Sequence, residues 1–195
     1  MNTRMATLSL LAAGTVALGA SAAPRSAPIE HFTAKAVEMT SPARITFRTV
    51  DIVVNRWSTD VEHQMLEAAL LEKGWVEFVD QLCNFAPAGS IGTVDGPEVT
   101  VRYAWQVVDR NGGRRIFLGT DTPISLAGVP LRRQPLPEPL MFLELRVGPN
   151  GDGEGKLSEA ARLSVDESRN VIELRDYAGR PLHLVMVRSL LSIDE

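Results

Sequence analysis

The chain has 195 residues, 45% of them hydrophobic, with 20 Lys and Arg against 24 Asp and Glu, three His and one Cys, for a formal net charge of −4. This mildly acidic balance lacks the basic footprint that binding to nucleic acid or to an anionic membrane surface requires. The lone Cys83 excludes an internal disulfide, and the length suits one domain with a hydrophobic core.

Residues 1–22 carry Arg4 and no acid ahead of the apolar run MATLSLLAAGTVALGA, and Ala20 and Ala22 fit the small-residue rule for leader cleavage. This pattern predicts a secretory signal peptide cut near Ala22 and a periplasmic or secreted protein. No later stretch reaches the roughly 18 apolar residues of a spanning helix, and 6% aromatic residues is thin for the two girdles of an outer-membrane barrel.

Residues 23–42, rich in Ala, Ser and Pro and including His31, read as a flexible lead-in to a single domain over 43–191. ARITFRTVDIVVNRW then predicts a long strand, with a change of alternation near Thr49 and Val50 that suggests a bulge.

The stretch NRWSTDVEH places Ser58, Asp60 and His63 within six positions. A catalytic triad needs its members to converge in space, whereas a chain entering a helix points them around the axis. Thr59 with Glu62 forms a capping-box pattern, and Asp60 and Glu62 put negative charge at the helix start. A helical hairpin over about 59–85 is therefore predicted. Its first helix runs on the period of Val61, Met65, Ala68, Ala69 and Glu72 to Gly74, with His63 at the surface. Its second buries Trp75, Phe78, Val79, Leu82 and Cys83.

From Pro87 onward the signals are those of strands. VTVRYAW alternates Val99, Val101, Tyr103 and Trp105 against polar neighbours; DRNGG is an Asn-Gly hairpin turn; RRIFLGT returns. PLRRQPLPEP is an extended proline loop, a possible protein-binding element. LMFLELRV, LSEAARLSV, VIELRDY and PLHLVMVRSLL supply further strands. The expected class is α+β, mainly antiparallel β: seven to eight strands curled into a barrel or half-barrel, with the hairpin inserted after the first long strand and a two-layer sandwich as the alternative.

PNGDGEGK resembles the first half of a calcium loop, but the twelfth position counted from Asn150 is Ala161 where a carboxylate is needed, so a glycine-rich turn is expected. Three scattered histidines and one cysteine predict no metal site, His183 alternates with Leu182 and Leu184 and should face solvent or a cross-strand partner, and no cofactor or catalytic constellation is predicted. If the strands close, Val99, Val101, Tyr103, Trp105, Met141, Leu143 and Leu145 are the inward candidates. Tyr103, Trp105, Arg102, Asp121 and Glu144 are then the candidate ligand-binding residues. The leading functional expectation is a non-catalytic exported domain that holds a small apolar or amphipathic ligand or serves an envelope protein partner. The alternative is a hydrolase using fold-assembled carboxylates such as Asp121 and Glu144.

DIVVNRWSTD, LLEKG, RYAWQ, GGRRIFLGTDTPIS, FLELRV with GDGEGKLS, and IELRDYAGRPLHL, in that order, resemble a family of uncharacterised exported bacterial proteins of the acidobacterial type. The resemblance covers roughly residues 45–188 and implies export and the domain boundaries, with no activity, ligand or catalytic residue attached.

Overall fold

The computed structural model describes residues 29–41, 44–94, 96–122, 140–177 and 181–190. The signal-peptide pattern and the proline loop lie outside them.

Strand β1 (Glu30–Ser41) hairpins into β2 (Arg44–Val54). Then come helix α1 (Asp60–Ala68), a π-helical turn (Ala69–Lys73) and helix α2 (Trp75–Asn84). Seven strands follow: β3 (Gly89–Thr93), β4 (Glu98–Val108), β5 (Arg114–Thr120), β6 (Met141–Val147), β7 (Asp152–Asp166), β8 (Val171–Tyr177) and β9 (Leu182–Ser189). The strands pair antiparallel in the order β6-β5-β4-β3-β2-β1-β9-β7, and a further β6–β7 pairing closes the ring. Eight strands thus form a closed barrel, and closure removes the exposed edges of an open sheet. Strand β8 pairs with the distal half of β7, so this hairpin runs past the barrel rim.

Residues 30–41 are therefore a barrel strand and not a lead-in. The period-2 signal is present, with Phe32, Ala34 and Ala36 buried against partly exposed His31, Thr33 and Lys35, but two of the three inward residues are alanines, which leave little hydrophobic contrast to read. The expected bulge near Thr49 and Val50 is also absent. β1 and β2 pair without interruption from Glu30 opposite Val54 to Met39 opposite Ile45. Unbroken pairing keeps Phe47 in the outward phase of Thr49 and Asp51, opposite to buried Val50 and Ile52, and it is 60% exposed.

Inside the barrel, Phe32, Val50, Ile52, Ile91, Val101, Ile116, Leu118, Leu143, Leu145 and Leu184 are buried in one continuous cluster. Each large aliphatic contributes about 1.5–3 kcal/mol by leaving water. A second cluster lies outside the barrel wall: Leu66, Phe78, Val79 and Leu82 of the helical layer pack on Tyr103, Phe117 and Phe142, with Leu163, Val171 and Ile172 of the β7–β8 hairpin closing the side. Both turns read from the sequence are formed. In DRNGG, Gly112 takes a positive φ of 80°. In PNGDGEGK, Asn150 Oδ1 accepts from the Asp152 amide at 3.2 Å within the β6–β7 turn.

Candidate functional site

The chain leaves β2 through Trp57 and makes one strand-like contact before turning helical. The Ser58 amide donates to the Ala104 carbonyl at 2.7 Å, and the Ser58 hydroxyl accepts from the Ala104 amide at 3.1 Å. That hydroxyl is thus committed to backbone. Thr59 then caps α1: its hydroxyl accepts from the Glu62 amide at 3.2 Å, and its own amide donates to Glu62 Oε2 at 2.8 Å. Arg56 grips the same carboxylate with both terminal nitrogens, at 2.8 and 2.9 Å, and reaches the Ala86 carbonyl at 2.6 Å, tying the start of the helical layer to its end. Burial works against ionisation of Glu62, but the bonds from Arg56 and Thr59 outweigh it and hold the carboxyl below its ordinary range.

This start sets the rotation of α1. The helix buries His63, Leu66 and Ala69 and turns Val61, Met65 and Ala68 to solvent. The surface position expected for His63 is thus overturned: it is 1% exposed. Its imidazole stacks on Trp105, ring centres 4.1 Å apart and nearly parallel, and its Nδ1 lies 2.7 Å from the Tyr103 hydroxyl. Its Nε2 sits 3.2 Å from Glu67 Oε1, one turn along the helix, but off the line of a hydrogen bond. The nearby carboxylate favours the proton on Nε2, which makes Nδ1 the acceptor and the Tyr103 hydroxyl the donor. Trp105 in turn donates its indole N–H to the carbonyl of Asn170 at 2.9 Å, a residue in the β7–β8 turn with a positive φ of 54°.

Burial pushes the His63 imidazole below its ordinary range, against the pull of Glu67, Asn170 and Asp60. Burial, helped by the Glu67 charge, pushes the Tyr103 phenol up, so it stays protonated. The cluster joins three parts of the fold: α1, the outer face of β4 and the β7–β8 turn. Ser58 belongs to a different contact and Asp60 is exposed, so the three residues of NRWSTDVEH do not converge.

Tyr103 and Trp105 lie on the outside of the barrel, contrary to the inward placement expected of them. Strand β4 carries a register shift between Val101 and Tyr103 in its pairing with β5. The extra residue, Arg102, reverses the alternation. Val101 and Ala104 face the core while Tyr103 and Trp105 join the outer cluster. Met141, Leu143 and Leu145 are inward as expected, with Val99 at the margin.

Arg102 and Asp121 are brought together. Arg102 donates from Nε to Asp121 at 2.7 Å and from Nη1 to the Phe85 carbonyl at 3.0 Å, covering the end of α2. Glu144 sits in another network, 3.0 Å from Arg115 and 3.1 Å from Arg146, with Arg115 also 3.4 Å from Glu173 and stacked over Phe117. The five candidate residues thus fall into three separate groups. His63, Glu67 and Asn170 are the members of the central cluster that the sequence reading missed. The available signal was the i, i+3 spacing of His63 and Leu66, in competition with the stronger-looking row of Val61 and Met65.

Cys83 is exposed and not part of the buried stripe, because Phe78, Val79, Leu82 and Phe85 already fill the face of α2 toward the barrel. His183 is exposed, as expected. Among the described residues no group of three or more His, Cys, Asp or Glu is placed to hold a metal ion.

Fold and site together define an eight-stranded antiparallel barrel with a buried apolar core and a helical layer pinned to its outer wall by a buried imidazole cluster. Comparison with protein-family models, with curated proteins and with solved structures finds no match to the chain.

Proposed function

We propose that the chain is an exported, non-catalytic binding domain that works from the outside of its barrel, on a partner in the bacterial envelope or the medium. Export rests on the leader pattern of residues 1–22 and on the resemblance to exported bacterial proteins. No described helix is long and apolar enough to cross a membrane.

The observation that carries the reading is the contrast between the two sides of the wall. The inward positions are filled by side chains at or near zero exposure, whereas the helical layer leaves Val61, Met65, Leu71 and Val76 between 44% and 69% exposed. Among the described residues the inward side chains pack against one another, which leaves little to favour a small apolar ligand there. The hydrolase reading loses its named pair, since Asp121 and Glu144 are each held by a different arginine.

Native mass spectrometry of the protein purified gently from its host's envelope tests the proposal. A reproducible protein partner, released on denaturation, is the expected result. A bound apolar small molecule would instead place the function inside the barrel, and a bare chain with hydrolytic activity would return the carboxylates to the centre.

A further inference from the structure

The helical layer has two chemically different sides. One is spent on the barrel: His63, Leu66 and Ala69 of the first helical stretch and Phe78, Val79 and Leu82 of α2 are buried there. The other carries Val61 (65% exposed), Met65 (44%) and Ala68 at i, i+4 and i+7, which lie above one another as a single ridge on α1. Scattered exposed apolar residues are ordinary on any protein. An aligned row on a helix whose opposite face already satisfies the core is not accounted for by the fold.

The charges around that ridge have one sign. Residues 60–84 contain Asp60, Glu62, Glu67, Glu72, Glu77 and Asp80 against Lys73 alone. Glu62 is held by Arg56, Glu77 by Lys73, and Glu67 is turned to His63. Among the described residues, Asp60, Glu72 and Asp80 have no ion-pair partner. On the barrel wall Arg102, Arg114 and Arg115 are each engaged by a carboxylate. The layer therefore offers an apolar row beside uncompensated negative charge.

We propose that this ridge docks an amphipathic helix of a partner protein whose apolar stripe is bordered by lysine or arginine. The inference rests on the binding-domain reading above and names its surface and the partner's chemistry. Complementary charge would steer the encounter and fix its register, and the apolar stripe would cover Val61 and Met65. A second copy of the chain would oppose one acidic layer to another, and an anionic membrane would repel it.

The probe is a synthetic helical peptide with leucine at i, i+3, i+4 and i+7 and lysine elsewhere, with a twin carrying glutamate in place of lysine. Binding to the full chain is read by fluorescence anisotropy. The lysine peptide should bind, with affinity falling about tenfold as salt rises from low to well above physiological ionic strength, and the glutamate twin should not. The double variant V61S/M65S changes only exposed side chains, so its thermal midpoint should hold while affinity falls about tenfold or more. Failure of the lysine peptide to bind, equal binding to the variant, or equal binding of the twin would overturn the proposal. So would a dimer of the native chain that V61S/M65S abolishes. An envelope partner retained by both native chain and variant would overturn this surface while leaving the binding-domain reading intact.

Discussion

Acidification from pH 7.5 to 5.5 should destabilise the protein through His63. An imidazole in the unfolded chain titrates near 6.5, and in the folded protein burial holds His63 below that value. Across this window the unfolded state binds the proton that the folded state refuses. The stabilisation is therefore fully present above pH 6.5 and is lost as the pH falls through 6.5 toward the folded value. If His63 stays neutral in the fold, linkage gives about 1.4 kcal/mol between pH 7.5 and 5.5. The groups facing the ring can offset part of this: Glu67, Asn170 and Asp60 favour the charged form, while the Tyr103 hydroxyl on β4 is a neutral partner at Nδ1. Glu62 and Asp166, held below their ordinary range, remain ionised throughout. The chain has two other histidines, His31 and His183, so the informative quantity is a difference. Urea unfolding of native protein and His63→Gln, followed by circular dichroism at pH 5.5, 6.5 and 7.5, isolates it. The native chain should lose about 1 kcal/mol more than the variant between the two ends of the series, equivalent to about 2–4 °C in thermal midpoint. Parallel pH profiles for the two proteins would refute a buried, proton-refusing His63.

Tyr103→Phe removes the partner of His63 Nδ1 while keeping the ring in the outer cluster, and should cost about 1–3 kcal/mol in denaturant unfolding. Gly89→Ala places a methyl group on the carbonyl oxygen of Val53 in the neighbouring strand, so a loss of about 3 kcal/mol or more, or failure to accumulate folded protein, is expected. Cys83→Ser should leave stability within about 0.5 kcal/mol of native, and the native thiol should react with an Ellman-type reagent without denaturant.

The barrel was legible because β-branched and aromatic residues mark most of its strands, and because the helix start announces itself through Thr59 and Glu62. Two strands were not. β1 carries alanine at two of its inward positions, and β3, Gly89–Thr93, has only Ile91 as a large apolar residue. Both are small where neighbouring chains come close, and small residues carry little hydrophobic contrast. The candidate site was half legible. Tyr103 and Trp105 were singled out for an interior they do not line, and their partner His63 was assigned to solvent, because α1 offers two faces of similar apolar weight. Which face wins is decided by contacts far away in sequence: Ser58 with Ala104, and His63 with Tyr103.

The inserted residue Arg102 links these errors. Without the register shift in β4, the alternation set by Val101 would have carried Tyr103 and Trp105 into the barrel, and His63 would face a wall without a hydrogen-bond partner or a ring to stack on. With it, two aromatics move outside and Ala104 takes the inward position, where its backbone meets Ser58. The displaced residue is itself used, since Arg102 joins Asp121 to the carbonyl of Phe85 at the end of α2. A single bulge therefore supplies two of the contacts that hold the helical layer, the imidazole cluster under α1 and the guanidinium cap beyond α2. The apolar row of Val61 and Met65 lies on the helix that the imidazole cluster anchors. In the lysine-peptide anisotropy assay, lowering the pH from 7.5 to 5.5 should therefore weaken binding more for the native chain than for His63→Gln, and equal weakening would refute the link.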